Sequence, residues 1–300
     1  MITQKVISNC DGLILDVAII EPKDEIKGIV QFSHGMSEHK ERYFDFMNFL
    51  AQNGYVCVIH DHRGHGKSVK NENDLGYFYT QNIDYIVDDL HQITNFIKQK
   101  YPNFDIILFS HSMGTLVARN YLKKYDKDIS KIILCGAPTQ NKMAGFGVCL
   151  AKFLNIFYKK NTPNKFLDKL VFSAYSKNLP NKNDWVCANL ETLEKYNQDE
   201  LCGFVFTTNG FINLFELQKQ AFNKKNWKNP KKDLPIFVIA GQNDPVIQNK
   251  KKFYNLIEFL HKVGYKNIKS KLYQSMRHEI LNEKDNQLVF ADVLNFIEEK

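Results

Sequence analysis

The stretch that decides the fold reads Ile106-Ile107-Leu108-Phe109-Ser110-His111-Ser112-Met113-Gly114. Its four apolar residues predict a buried strand, and residues 115–125 fit a helix. A serine at such a strand–helix turn projects its hydroxyl above the sheet, beside backbone N–H groups that can stabilise an anion. Gly114 supplies the small neighbour that a tight turn needs. The sequence therefore predicts Ser112 as a nucleophile.

Other short apolar runs alternate with longer helical stretches on both sides of this turn. They are mostly continuous Ile, Val, Leu and Phe, which is typical of parallel strands covered on both faces. The predicted strands are residues 28–32, 55–60, 105–109, 131–135, 235–240 and 268–273. We therefore expect an α/β fold with a mostly parallel central sheet and helices on both faces. Ligands of such sheets bind at the carboxyl ends of the strands.

The chain opens with two further β-rich runs, residues 5–10 and 13–20. They flank Asp11-Gly12, a favourable pair for a type I′ turn. This pattern predicts an antiparallel hairpin on the edge of the sheet.

The alternation of strands and helices stops between residues 139 and 232, a segment called here the insertion. It holds three prolines and both tryptophans, and from Asn141 to Lys232 it carries 15 lysines against 7 acidic residues. We predict that it forms a helical cap, or lid, over a core made of residues 1–138 and 233–300. The apolar stretch at 145–160 leaves two interpretations open: a helix buried against the core, or a lid whose apolar face lines an acyl-chain slot and touches lipid.

Further motifs recur along the chain in a recognisable order. They are His34-Gly35-Met36-Ser37-Glu38-His39 with Arg42-Tyr43, residues 61–68, residues 110–114, Gly241-Gln242-Asn243-Asp244, Arg277-His278, and residues 196–204 in the insertion. On these residues nearly the whole chain resembles α/β-hydrolases of the monoacylglycerol lipase and lysophospholipase group, the serine aminopeptidase-like hydrolases. It departs from them at Ser110 and Thr115, which are commonly glycine in that family.

The candidate partners of Ser112 follow two other predicted strands. A serine hydroxyl becomes nucleophilic when a base lies within hydrogen-bonding reach and a carboxylate orients that base. Asp244 follows the strand at 235–240, and His278 follows the strand at 268–273. The order Ser, Asp, His is that of α/β-hydrolases. We therefore predict His278 as the base and Asp244 as the group that orients it.

The oxyanion of an acyl-transfer reaction needs two N–H donors. The amide of Met113 follows the nucleophile, and by motif position the amide of Met36 supplies the second donor. The resemblance implies a serine hydrolase that cleaves carboxylic esters of single-chain lipids, monoacylglycerols or lysophospholipids, through an acyl-enzyme and without a cofactor. The same triad serves short-chain esterases, acyltransferases and aminopeptidases, and a noncatalytic binding protein could retain the fold. An aminopeptidase would place an acidic group near the substrate amine.

Composition excludes several other classes of protein. With 44% apolar and 24% charged residues, the chain is neither disordered, collagenous nor a coiled coil. Its net charge of +7 permits anionic partners without demanding nucleic acid, and we expect none. We expect a cytoplasmic protein. The excess of lysine in the insertion leaves two interpretations open: peripheral contact with anionic membranes, or scattered charge that keeps the cap soluble. His60, His62 and His65 lack the spacing of a metal motif, and we expect neither a metal nor a cofactor.

Overall fold

The computed structural model describes residues 1–177, 179–227 and 230–299. Parts of the predicted insertion (178, 228 and 229) and of the predicted core (300) lie outside the described residues. The described strands are β1 (Ile2–Ile7), β2 (Ile14–Ile20), β3 (Gly28–Ser33), β4 (Tyr55–His60), β5 (Ile106–His111), β6 (Lys131–Cys135), β7 (Ile236–Gly241) and β8 (Ile268–Tyr273). The described α-helices are α1 (Phe44–Gln52), α2 (Asp84–Lys100), α3 (Met113–Tyr125), α4 (Ala144–Leu154), α5 (Lys165–Phe172), α6 (Leu190–Gln198), α7 (Thr208–Ala221), α8 (Lys250–Lys262) and α9 (Asn286–Glu298).

All eight strands belong to one sheet in the order β1-β2-β4-β3-β5-β6-β7-β8. β1 and β2 pair antiparallel, as do β2 and β4, and every other neighbouring pair is parallel. The mostly parallel α/β sheet predicted from the sequence is therefore confirmed, and each predicted parallel strand agrees with the structure to within two residues.

The two faces of the sheet bury separate apolar clusters, which explains why the central strands are apolar throughout. Ile29 packs into one cluster with residues of α2, α3 and α8, whereas its neighbour Val30 packs into the other with residues of α1 and α9. Successive side chains of a strand point to opposite faces, so a strand buried on both sides needs an apolar residue at almost every position.

The amino-terminal hairpin is present at the sheet edge, but the predicted type I′ turn is wrong. The strands end at Ile7 and begin again at Ile14, and the loop between them is closed by hydrogen bonds from Ser8 N to Leu13 O and from Gly12 N to Ser8 O. Gly12 has a φ of +73°, whereas Asp11 is not among the residues with positive φ. A type I′ turn requires positive φ at both central residues.

The insertion follows β6 and contributes α4 to α7 before the chain returns to the sheet at β7. α4 buries Ala144, Val148 and Ala151 and packs against α7, while Phe146 and Phe153 on its other side are exposed. Within the described ranges, no helix combines the length and the apolar character needed to cross a bilayer. The carboxyl ends of β3, β5, β7 and β8 lead into the loops that carry the candidate site.

Candidate active site

Ser112 occupies the junction between β5 and α3. Its backbone has φ +50° and ψ −120°, a conformation that non-glycine residues adopt rarely and that is typical of functional turns. A Cβ on Gly114 would lie 2.0 Å from the carbonyl oxygen of Ser33, so only glycine fits there. The missing side chain lets the loop after β3 lie directly against the start of α3.

The two departures from the family pattern both have backbone partners. Ser110 is fully buried, and its Oγ donates a hydrogen bond of 2.8 Å to the carbonyl oxygen of Ile133 on the adjacent strand β6. The Oγ1 of Thr115 donates to the carbonyl oxygen of Ser112, also at 2.8 Å. Each added hydroxyl is therefore satisfied, and the tight turn accommodates both residues.

The structure brings together the three side chains predicted to react. The Oγ of Ser112 lies 2.8 Å from Nε2 of His278, and Nδ1 of the same imidazole lies 2.9 Å from Oδ2 of Asp244. The other carboxylate oxygen of Asp244 accepts a hydrogen bond of 2.8 Å from the backbone N–H of Val246. This geometry can pass the serine proton to the imidazole while the carboxylate holds one ring tautomer.

Both residues predicted to supply oxyanion donors border the same cleft. Met113 is the first residue of α3, and Met36 lies in the loop after β3. A helix amino terminus carries unpaired N–H groups, so the position of Met113 suits an anion. The role of these two amides stays a prediction.

A second histidine–carboxylate pair, which the sequence patterns did not predict, lies beside Ser112, His278 and Asp244. Nδ1 of His111 is 3.1 Å from Oε1 of Glu38, which also accepts hydrogen bonds from Gly35 N and from the Tyr43 hydroxyl at 2.8 Å. Burial raises the pKa of Glu38, but the hydrogen bond and charge of His111 outweigh it and hold that pKa below its ordinary value. The signal was available, because Glu38 belongs to the motif after β3.

Arg42 joins this pair to a further acidic group. Its guanidinium hydrogen-bonds the carboxylate of Glu279, and its Nε lies 3.6 Å from Oε2 of Glu38. All three side chains are almost completely buried. Buried charges are stable when they are paired in this way, so neither carboxylate is left with an uncompensated charge.

The cleft above Ser112 has an empty volume of about 1180 Å³, including the solvent at its mouth. Apolar side chains of the insertion form much of its wall, among them Val171, Phe172, Trp185, Phe204, Leu214 and Phe215. An apolar cleft with a few convergent polar groups suits a substrate that has an apolar body and one reacting polar bond.

Four further buried histidines lie at the end of β4 or in the loops after β3 and β4: His34, His60, His62 and His65. Nε2 of His34 accepts a hydrogen bond of 2.8 Å from the backbone N–H of His62, and the rings of His60 and His62 lie 4.8 Å apart. Burial lowers the pKa of His60 and of His65 to about 3. These imidazoles are therefore uncharged at neutral pH.

One group of three potential metal ligands occurs in the described part of the chain, at His39, Asp199 and Cys202. Nε2 of His39 lies 2.8 Å from Oδ2 of Asp199, so these two side chains already bond each other. Burial raises the pKa of Cys202, which favours the thiol over the metal-binding thiolate. This donor set fits a hydrogen-bonded contact between the loop after β3 and the insertion better than a metal centre.

Comparisons with known proteins agree with this architecture. The family described as serine aminopeptidase, S33, matches residues 24–285. A monoacylglycerol lipase of Mycolicibacterium smegmatis is 24% identical over 92% of this chain and 90% of its own length, and a probable lysophospholipase L2 of Haemophilus influenzae is 22% identical over 89% and 82%. A carboxyl esterase from Bacillus coagulans, solved with glycerol, superposes with a TM-score of 0.90 at 24% identity and covers 98% of this chain and 97% of its own.

Proposed function

Because the chain belongs to the serine aminopeptidase S33 family of α/β-hydrolases, as its motifs predicted, we propose that it is a serine hydrolase. In this proposal its substrates are carboxylic esters of single-chain lipids. The observation that carries the proposal is the hydrogen-bonded series Ser112, His278 and Asp244 at the wall of a largely apolar cleft. In this proposal Ser112 is the nucleophile, His278 the base and Asp244 the residue that orients the base. The reaction requires no cofactor.

In the proposed mechanism, Nε2 of His278 accepts the hydroxyl proton of Ser112 while Oγ attacks the acyl carbonyl carbon. The amides of Met36 and Met113 donate hydrogen bonds to the resulting oxyanion. His278 then gives its proton to the departing alcohol oxygen, which leaves an acyl-enzyme. Water attacks the acyl-enzyme as His278 takes its proton, and return of that proton to Ser112 releases the carboxylic acid. Asp244 accepts the Nδ1–H hydrogen bond throughout.

The charges around the cleft support an ester substrate over a peptide with a free amino terminus. Such an amine would need an unpaired carboxylate. Glu38 and Glu279 both line the cleft, but Arg42 and His111 already pair them. Binding an ammonium group there would require the loss of buried ion pairs, which is costly.

The charges that line the cleft also bear on the headgroup of the lipid substrate. Among the described residues that line the cleft, Lys182 is the one lysine or arginine, and its Nζ lies 3.1 Å from Oδ2 of Asp168. A phosphate group is usually recognised by arginine or lysine side chains that are free to pair with it. A cleft whose described lining holds a single lysine offers few charges to a phosphate, which favours an uncharged headgroup, and we propose monoacylglycerol before lysophospholipid as the substrate.

We also propose that the insertion acts as the cap and that its outer face contacts anionic membranes. Its exposed apolar side chains include Met143, Phe146, Phe153, Ile156, Phe157, Phe166 and Leu170. Residues 141–182 contain eight lysines and one acidic residue. Each basic residue close to an anionic surface contributes about 1 kcal/mol, and the apolar side chains would add the burial of their own surface.

Labelling with a fluorophosphonate tests the proposed nucleophile. We expect the wild type and the control variant Ser270→Ala, which removes an exposed serine on β8, to be labelled equally. Ser112→Ala should lose all labelling and all hydrolysis. Labelling that persists in Ser112→Ala would contradict the assignment.

A substrate panel separates the alternatives. We expect medium- and long-chain monoacylglycerols to be cleaved with higher kcat/KM than acetate esters, lysophosphatidylcholine or an aminoacyl anilide. A preference for acetate esters would indicate a general esterase, and transfer of the acyl group to an added alcohol would indicate an acyltransferase. Absence of turnover across the panel, with Ser112 unreactive, would indicate a binding protein.

A further inference from the structure

One short segment of the insertion lies against the loop that carries His278. Residues 184–189 are joined to residues 277–283 by hydrogen bonds that lie before and after His278 in the chain. The ring of Trp185 also lies 5.3 Å from the ring of His278. The catalytic histidine proposed above is therefore enclosed by a segment that lies far from it in the chain.

One of these links is made by Arg277, the residue before the histidine. Its Nη1 donates hydrogen bonds to the carbonyl oxygens of Asp184 and Cys187, the second at 3.3 Å. No ion pair of this guanidinium occurs among the described residues, so its charge is directed at two backbone carbonyls of the insertion. Hydrogen bonds from a charged donor are roughly twice as strong as neutral ones.

Two acidic residues continue the contact after the histidine. The carboxylate of Glu283 accepts hydrogen bonds from Ala188 N at 3.0 Å and from Arg277 N at 2.8 Å. The backbone N–H of Glu279 donates to the carbonyl oxygen of Val186 at 2.8 Å. The insertion is thus bonded to residues immediately before and after His278.

The core also bonds this loop, both before and after the histidine. Asn243 N donates to Met276 O at 2.9 Å, and Gln242 N donates to Tyr273 O at 2.8 Å. Both bonds lie before His278 in the chain. After the histidine, Arg42 of the core bonds the carboxylate of Glu279, and Nε2 of His111 lies 3.4 Å from the carbonyl oxygen of His278. The core and the insertion therefore hold this loop together, and Arg277 is a side chain through which the insertion contributes.

We propose that Arg277 is a positioning residue through which the insertion holds His278 within reach of Ser112. This inference rests on the proposed serine hydrolase function. Arg277 is not among the described residues that line the cleft, so it acts on the base and not on the substrate. Loss of its side chain should therefore lower kcat without raising KM, because a misplaced base slows proton transfer while the binding surface is unchanged.

The test compares Arg277→Met with Arg277→Lys and with the control Lys195→Met, which removes a positive charge from the exposed Glu191–Lys195 pair on α6. Fluorophosphonate titration counts reactive sites, and kcat and KM for a monoacylglycerol are then expressed per titrated site. We expect kcat of Arg277→Met to fall about 10- to 100-fold with KM within about twofold of wild type, and Arg277→Lys to restore part of it. Lys195→Met should match the wild type.

A wild-type kcat per titrated site in Arg277→Met would overturn the inference, as would a loss that shows only as fewer titratable sites. If Arg277→Met does not fold, Arg277→Gln carries the test, because it removes the charged donor while keeping a polar side chain at that position. A wild-type kcat per titrated site in Arg277→Gln then overturns the inference. If Ser112 of the wild type does not react with the fluorophosphonate, both the proposed function and this inference fail. If the wild type reacts and Arg277→Met keeps the wild-type kcat per titrated site, the inference alone fails.

Discussion

Nδ1 of His111, the residue just before Ser112 in the chain, lies 3.1 Å from Oε1 of Glu38. The same carboxylate oxygen accepts a hydrogen bond from the backbone N–H of Gly35. Gly35 belongs to the loop after β3, which also carries Met36. One buried carboxylate therefore joins the loop proposed to bind the oxyanion to the turn that presents Ser112, the proposed nucleophile.

Glu38→Gln should lower the free energy of unfolding by about 1.5–3 kcal/mol at pH 7, because a neutral amide replaces a buried carboxylate bonded to His111. Since the folded pKa of Glu38 lies below its ordinary value of 4.5, the stabilisation from its carboxylate is complete above pH 4.5 and declines as the pH falls. Urea unfolding at a series of pH values should therefore show the free energies of unfolding of the wild type and Glu38→Gln approaching each other as the pH falls. The exposed variant Glu191→Gln should show no comparable loss, and an equal loss in both would contradict the role of burial.

Gly114→Ala should lower the free energy of unfolding by about 1–3 kcal/mol and reduce kcat, because its Cβ would lie 2.0 Å from the carbonyl oxygen of Ser33. The loop that carries Met36 would have to move away from α3. The matched control is Gly145→Ala on α4, where an added Cβ has no neighbour within 4 Å among the described residues. We expect that control to gain about 0.5–1 kcal/mol from helix propensity. Equal effects of the two alanines, measured by thermal unfolding, would refute this prediction.

The free energy of unfolding should fall as the pH is lowered from about 6.5 toward 3. His60 and His65 have pKa values of about 3 when folded, because burial lowers them from 6.5, so the unfolded chain binds more protons across this range. Each contributes a slope of up to about 1.4 kcal/mol per pH unit. His60→Leu should reduce the slope, measured by urea unfolding between pH 7 and 5. An unchanged slope in that variant would show that His60 does not set the acid stability.

Ile156→Glu should weaken binding to vesicles of phosphatidylcholine and phosphatidylglycerol without changing the melting temperature. The side chain lies in the turn just after α4 and is 75% exposed, so its replacement removes apolar surface available to a membrane while leaving the core intact. Leu288→Glu, at an exposed position on α9, is the control and should bind as the wild type does. Cosedimentation at two salt concentrations measures both effects. Equal loss in the two variants would indicate a general charge effect instead of contact through the insertion.

Several features could be predicted because their signals are local. Strands buried on both faces are apolar at successive positions, and β3 to β7 are predictable for this reason. β8 is an edge strand with exposed polar positions, so its pattern is weaker. The turn at Ser112 was found because a strand, a small residue and a helix follow one another within a few positions. Asp244 and His278 were placed by the same reasoning, since each follows a parallel strand whose carboxyl end lies at the same edge of the sheet.

The hairpin turn shows where local reasoning failed. Asp11-Gly12 favours a type I′ turn, but the carboxylate of Asp11 lies 3.1 Å from Nη1 of Arg63 and also accepts a bond from Leu13 N. Arg63 comes from the loop after β4 and is fully buried. The contact of Asp11 with Arg63 thus accompanies a loop between β1 and β2 that is longer than the two-residue turn Asp11-Gly12 favours.

From the sequence by itself came the doubly covered parallel sheet, the serine at its strand–helix turn and the chain order of its two candidate partners, because periodicity and turn chemistry act over a few residues. Only the tertiary structure decided that Glu38 pairs with His111 and that Arg277 bonds the backbone of Asp184, 93 residues away. Such contacts depend on how separate segments pack against one another, so the sequence around a charged residue does not identify its partner.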